Sequence, residues 1–278
     1  TFLREPSPSY VRNFLDRQQQ QKTPFNHDFA GFTDPVVGTS AAPPPPPPGF
    51  SERTVRVRLG EGRTIYTKGR DVLLQWRMHD GSSWARIVLG RRLKWWSDSQ
   101  VQMATVAKAC AGLAWCINPC QVLYERNDKT LTFSVPPGTN PCQPWEKHQT
   151  TFLPLENTRI TAARNDPSGI STRLWAGGSP KDAPAWASFR DGGGSKGVQS
   201  AVAYATKEGH LIQGEERMRV VWFRGRGGDD SVWFEVYSVS RGSGIIGAFV
   251  FPFVRSMQKR FFREQAETVR CIVTGRLT

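Results

Sequence analysis

A regular alternation of apolar and polar positions begins near residue 54. Val55, Val57 and Leu59 alternate with Arg56 and Arg58, the period-2 pattern of a strand buried on one side with a basic outer face. Gly60 and Gly62 interrupt it. Ile65, Gly69, Val72, Leu73 and Trp76 then recur at spacings of four, three, one and three, which predicts an amphipathic helix running to about His79. Short runs at 85–89, 93–96, 101–107 and 113–124 read as strands broken by Gly90, Ser97-Asp98 and Gly112, with Pro119 making the last one bulged or an edge. Strand character resumes at 201–206, 217–223 and 232–239, the last two joined by a tight glycine-rich turn at 225–230. The final helix is the clearest. Val250, Val254, Met257, Phe261, Val269 and Ile272 form one face, Arg255, Lys259, Arg263, Glu264, Glu267 and Arg270 the other, and Gly275 stands where a C-cap belongs.

Two stretches lack this periodicity. Residues 1–49 form an N-terminal arm ending in the prolines of 43–48, which extend as polyproline II because the ring fixes φ and removes the amide donor. The run reads as a spacer, or else as a ligand for an aromatic groove. Within the arm, Tyr10, Val11, Phe14 and Leu15 follow Ser7 at helical spacing, and the helix should end in the glutamine tract at 18–21. The second stretch, about 128–198, reads as an irregular insertion: eight Pro and eight Gly fall between residues 136 and 199. Trp145, Trp175 and Trp186 are expected to pin it to the core. What remains is one domain over 50–278: strand, helix, a run of antiparallel strands and a long last helix.

Ten tryptophans and 38% hydrophobic residues supply a real core and exclude wholesale disorder. The longest apolar run, 245–254, contains Pro252 and falls short of the roughly 20 residues a membrane-spanning helix needs. Five cysteines in a 278-residue chain are too few and too scattered for a disulfide framework, which fits a reducing intracellular compartment. Lys and Arg outnumber Asp and Glu by 37 to 24, and ten of the thirteen excess charges lie in 51–100 and 247–278. These could make one basic face for an anionic partner, carried by Arg56, Arg58, Arg255, Lys259 and Arg263, or they could simply be solvated surface.

The order of elements resembles the α+β helix-grip fold of START-type lipid carriers and the birch-pollen-allergen superfamily, a curved antiparallel sheet wrapped around a long C-terminal helix. Residues 57–79 (VRLGEGRTIYTKGRDVLLQWRMH), 203–216 (AYATKEGHLIQGEE) and 232–264 (VWFEVYSVSRGSGIIGAFVFPFVRSMQKRFFRE) are similar to successive motifs of uncharacterised protein family 0548, a domain-of-unknown-function family of bacteria and plants. The arm shares in the resemblance through 2–8 (FLREPSP) and 25–33 (FNHDFAGFT). Departures are the insertion, the proline run, and Ala205-Thr206 where family members usually carry Gly-Thr. The resemblance implies a helix-grip fold but brings no activity with it. It leaves cytoplasm or plastid stroma open as the compartment. Since family-like sequence begins at Phe2, no transit peptide is expected within these residues.

One compact group could carry chemistry: His210, Glu215 and Glu216 in an HxxxGEE motif, where a His and a Glu on adjoining strands could act as acid and base. The competing reading makes Gly209-His210 a turn, Gly214 a bulge, and the glutamates partners of surface arginines. No nucleophile elbow, Walker loop or dinucleotide fingerprint is present, and no cofactor is expected. Cys116 and Cys120 with Pro119 between them do not make a zinc site, so no metal is expected. The arginine-glycine stretch at 224–228 reads as turn geometry, not RNA binding. A sheet curled around one helix tends to leave an apolar cavity. The leading expectation is therefore non-catalytic carriage of a hydrophobic small molecule or lipid, bound by Trp76, Tyr204, His210, Trp233, Met257 and Phe261. The alternatives are an enzyme using His210 with Glu215 or Glu216, and an interaction protein with a basic face.

Overall fold

The strands are β1 (Ser51–Gly60), β2 (Ala85–Leu89), β3 (Gln102–Ala109), β4 (Ala114–Phe133), β5 (Thr150–Phe152), β6 (Ser195–Thr206), β7 (Ile212–Arg224) and β8 (Ser231–Gly242), and the helices are α1 (Pro8–Gln20), α2 (Gly62–Leu74) and α3 (Gly244–Val273). They belong to a computed structural model that describes residues 2–34, 46–82, 84–90, 101–109, 114–133, 150–152, 195–224 and 231–276. The strands form one open sheet in the order β2-β3-β4-β6-β7-β8-β1-β5. Every pairing is antiparallel except that of the three-residue β5 with β1. The protein is α+β.

Side-chain parity sets what each face carries. Val55 and Val57 on β1, Val122 on β4, Met218 and Val220 on β7, and Phe234 and Val236 on β8 point inward to meet Phe262, Ala266 and Val269 of α3 in one core. The opposite face is covered too. Val11 and Leu15 of α1, both fully buried, pack on Val88, Ala104 and Val106 of β2 and β3. Each such side chain contributes about 1.5–3 kcal/mol by its burial. The arm is therefore a third layer, and β8 is buried on both faces from Ser231 to Ser240.

Local signals fix the helix ends. Ser7 Oγ accepts the Tyr10 amide at 3.2 Å and starts α1, which stops at Gln20 in the glutamine tract. Gly275 ends α3 at φ 74°, its N–H bonding the Ile272 carbonyl at 3.1 Å while the Arg276 N–H bonds that of Cys271 at 2.7 Å, a Schellman motif. Two boundaries differ from the sequence reading. α2 stops at Leu74 because Trp76 is left-handed at φ 59°, and a 3-10 turn, Arg77–His79, follows it. α3 begins at Gly244, before the apolar periodicity at Val250.

The expected insertion also starts later and ends sooner. β4 runs on to Phe133 and β6 begins at Ser195, the two ends being register partners. The register slips between Arg126 and Lys129, where Asp128 is left-handed and both Asp128 and Ser200 take hydrogen bonds from Tyr66 of α2 or share them with it. The expected strand at 93–96 with Trp95-Trp96, the turn at 225–230, Trp145, Trp175 and Trp186 lie outside the described residues.

Candidate functional site

α2 packs on β6, β7 and β8, and α3 on β1 and β8. Between α3 and the rest of the inner face, across β2, β3, β4, β6, β7 and β8, lies a cavity of about 370 Å³. Trp84, Ala85, Ala107, Met257 and Phe261 supply apolar wall, while Tyr204, His210, Glu216, Ser238 and Ser240 bring polar groups to it. Strand register gathers them: Glu216 stands opposite Tyr204 on β6 and opposite Ser238 on β8.

Glu216 is the electrostatic centre of this wall. Its carboxyl is buried, Gln265 Nε2 of α3 donates to Oε1 at 3.2 Å, and the Tyr204 hydroxyl donates as well. Both bonds favour the carboxylate, yet loss of water dominates and pushes the pKa up to about 7. Tyr204 in turn is pushed well above its ordinary value by burial and by Glu216 beside it. The Cys120 thiol on β4 is raised by burial first and by Glu216 second.

His210 sits half-buried in the turn before β7, its Nδ1 accepting the Ile212 amide at 2.9 Å. That bond leaves the ring proton on Nε2, and burial lowers the pKa to about 3. The imidazole is a neutral donor at neutral pH. Among the described residues, neither Glu215 nor Glu216 hydrogen-bonds it.

The two glutamates of the motif do not work together. Glu215 lies on the outer side, where the Gly31 amide donates to it at 2.8 Å, the Thr33 amide at 2.9 Å, and the Thr33 hydroxyl also bonds it. Its pKa is raised by burial against the pull of these donors. The arm segment grips the hairpin further along: Asn26 Nδ2 donates to the Ile212 carbonyl at 2.9 Å and His27 Nε2 meets the Gly214 carbonyl at 3.0 Å. Gly214 itself, at φ 151°, must be glycine, because a Cβ there would overlap the Val239 carbonyl oxygen.

Among the described residues neither motif glutamate pairs with an arginine. Glu235, buried on the outer face of β8, instead holds a cluster of them, bonded by Arg56, Arg217 and Arg219. These three guanidiniums hold its carboxyl well below the usual range despite burial. The signal was in the sequence: a lone acid between strands whose outward positions carry arginine, in register with Arg56 and Arg219.

Of the residues expected to bind a ligand, Tyr204, His210, Met257 and Phe261 line the cavity. Trp76 is packed in the core beside Tyr204, ring centroids 6.3 Å apart, with its Nε1 near Glu125. Trp233 faces the other way, since it is odd-numbered on β8 beside Phe234 of the inner core. The proposed basic face is divided for the same reason. Arg56 belongs to the Glu235 cluster and Arg58 pairs with Glu61, whereas Arg255 and Arg263 of α3 lie near Arg53 on the inner side of β1 and depress its pKa after burial does. Lys259 shares their helix. Cys116 and Cys120 are free thiols on β4, and Cys116 Sγ is held by Asn118 Nδ2 at 3.2 Å. Among the described residues no group of three metal-ligating side chains forms, and no helix is long and apolar enough to cross a membrane.

A single sheet crossed by one long helix, with a partly open cavity between them and a structured arm behind, defines an α+β protein with a pocket. The chain belongs to the family described as a domain of unknown function, DUF1990, whose model matches residues 33–139 and 185–268. It is similar to the UPF0548 protein At2g17695 of Arabidopsis thaliana, 24% identical over 221 residues that cover 80% of this chain and 72% of the relative.

Proposed function

We propose that this protein binds and carries a hydrophobic small molecule in the cavity between α3 and the sheet, without transforming it. The observation that carries this reading is the cavity itself: about 370 Å³ of space walled by Trp84, Ala85, Ala107, Met257 and Phe261, with polar groups converging from one side. Small-ligand sites are of about 300–1,000 Å³ and have this mixture of apolar wall and few polar anchors. α3 lying across the sheet supports a helix-grip, START-like reading of the fold, in which such a space is the binding chamber.

The test is a fluorescence titration with the neutral probe N-phenyl-1-naphthylamine, beside native mass spectrometry of the protein purified from its own cells. One-to-one saturable binding is expected, and Ala107→Phe, which fills the space from β3, should abolish it. No saturable binding, or binding indifferent to Ala107→Phe, would overturn the carrier reading.

An enzymatic reading has one observation in its favour: Glu216, with a pKa near the working pH, shares a wall with Tyr204 and His210. A mass change in the bound molecule that Glu216→Gln prevents would establish it in place of carriage.

A further inference from the structure

Among the described residues, the acid on the polar side of the cavity has no cation paired with it: Lys108 also borders the cavity, but its ammonium lies over the Trp115 ring, 5.4 Å from the centroid. Glu216 is only 6% exposed, and its two hydrogen-bond partners, Tyr204 and Gln265, are uncharged. The titratable groups nearest it on the neighbouring strands are Tyr204 and Cys120, both held neutral by burial. Lys207 lies close in sequence but turns to the outer face, where Gln102 and Gln121 oxygens hold its ammonium at 3.2 and 3.1 Å. His210 is neutral with Nδ1 occupied. Among the described residues no Lys or Arg pairs with Glu216, in contrast to Glu235, Glu264 and Glu267, each of which has at least one arginine. In a protein of net charge +13 this is an uncompensated site.

A carboxylate offers about four acceptor positions, and two are filled by Tyr204 and Gln265. Burying a charge is strongly penalised unless it is paired. A ligand ammonium would supply the missing partner, a ligand carboxylate would repel, and an alcohol would gain one ordinary hydrogen bond. We propose that the cavity selects hydrophobic molecules bearing a protonated amine, the ammonium pairing with the Glu216 carboxylate while the hydrocarbon lies against Trp84, Met257 and Phe261. This assignment rests on the carrier reading above.

The experiment displaces N-phenyl-1-naphthylamine from the full chain with n-decylamine, 1-decanol or decanoate, each below its micelle concentration, at one pH near 7.5. Decylamine should bind at least tenfold more tightly than decanol, and decanoate most weakly. Glu216→Gln should lower decylamine affinity tenfold or more while decanol stays within twofold, and Glu216→Asp, which keeps the charge, should retain the preference for amine. The head-group series needs no variant, so a variant that fails to unfold cooperatively does not spoil the test. If decanol or decanoate equals decylamine, or if Glu216→Gln leaves decylamine unchanged, the amine assignment is wrong while the carrier stands. If neither the probe nor any of the three binds saturably, the carrier reading falls and takes the assignment with it.

Discussion

Glu215 and Glu216 are chain neighbours whose carboxyls sit on opposite faces of one strand, Glu215 held by the Gly31 and Thr33 amides of the N-terminal arm and Glu216 by Tyr204 and Gln265 beside the cavity. β7 thus joins two systems. The hairpin that presents Glu216 and His210 to the cavity is the one the arm clamps from behind through Asn26, His27 and Thr33. Its bend depends on Gly214, whose amide is taken by Thr206 Oγ1 at 2.8 Å. Anything that loosens the arm should be felt at the cavity.

Glu216 sets a pH dependence with a definite sign. Its pKa is about 7 in the fold against an ordinary 4.5, so the unfolded chain gives up this proton first. The stability it contributes is complete below pH 4.5 and is lost as pH rises through 7, a change of about 3 kcal/mol from the shift. Glu216→Gln keeps an acceptor for Tyr204 and Gln265 but cannot ionise. In urea unfolding it should exceed the parent by about 3 kcal/mol at pH 8 and match it near pH 4. Equal stability at pH 8 would remove the buried acid from the picture. His79 and His210, both lowered to about 3 by burial, act with the reverse sign: their contribution is complete above pH 6.5 and fades as pH falls towards 3.

The arm is expected to detach locally when its anchor is lost. Glu215→Ala removes the acceptor of two backbone amides and a hydroxyl, at a cost of about 3 kcal/mol for charge-assisted bonds of this kind. Hydrogen exchange should quicken first at Gly31 and Thr33 and leave the β7–β8 ladder protected. Unchanged exchange at these two amides would mean that the arm is held by its aromatic contacts, such as Phe29 against Phe50 at 4.7 Å, and not by Glu215.

Glu235→Ala should be the most damaging single charge removal. It leaves Arg56, Arg217 and Arg219 facing one another under the arm without the carboxylate all three share. Breaking a buried pair from one side costs about 3–5 kcal/mol. Chemical denaturation at neutral pH reads this directly, and a loss below about 1 kcal/mol, the worth of an exposed pair, would show the cluster to be solvated.

Residues with strong local patterns were legible in the sequence. Val55, Val57 and Leu59 on β1, the start of α1 at Ser7 and the Schellman end of α3 at Gly275 depend on neighbours within a few positions. Residues 125–133 (ERNDKTLTF) gave no such signal, because their strand state comes from pairing with β6 and from the Tyr66 contact to Asp128, both distant in sequence. The outer face escapes the sequence pattern for a related reason. Arg56 looked solvent-facing by alternation, but alternation says nothing of a third layer, and the arm that covers this face comes from the other side of the proline run. Residue type alone puts Trp233 with the ligand, whereas parity with Phe234 puts it on the opposite face. Tyr204, His210, Met257 and Phe261 are legible as cavity residues because the helix stripe and the motif hairpin both point there.

The stretch between β4 and β6 should be replaceable. Phe133 and Ser195 are register partners, so a short Gly-Ser turn can close the hairpin in place of 134–194. The change removes β5 from the edge beside β1, a pairing of three residues. A single cooperative thermal transition is expected in the shortened protein. Its loss would show that this stretch completes the core.

Phe261 and Phe262 are neighbours on α3 with different surroundings, and truncating each should separate folding from binding. Phe262 is 1% exposed and enclosed by the inner core, so Phe262→Ala should leave a closed void and cost about 3–5 kcal/mol. Phe261 stacks on His79 with centroids 5.2 Å apart and meets Trp84 edge-on at 5.7 Å, but it also borders the cavity. It is nearly as buried as Phe262, but because it borders open space Phe261→Ala widens the cavity and opens no isolated void. Its stability cost should stay below about 3 kcal/mol, under that of Phe262→Ala. Binding should respond in the opposite order: the enlarged cavity of Phe261→Ala should weaken N-phenyl-1-naphthylamine binding, while Phe262→Ala, assayed where it is still folded, should leave the dissociation constant within about twofold. If Phe262→Ala altered binding as much as Phe261→Ala does, the cavity wall would not lie where the structure puts it.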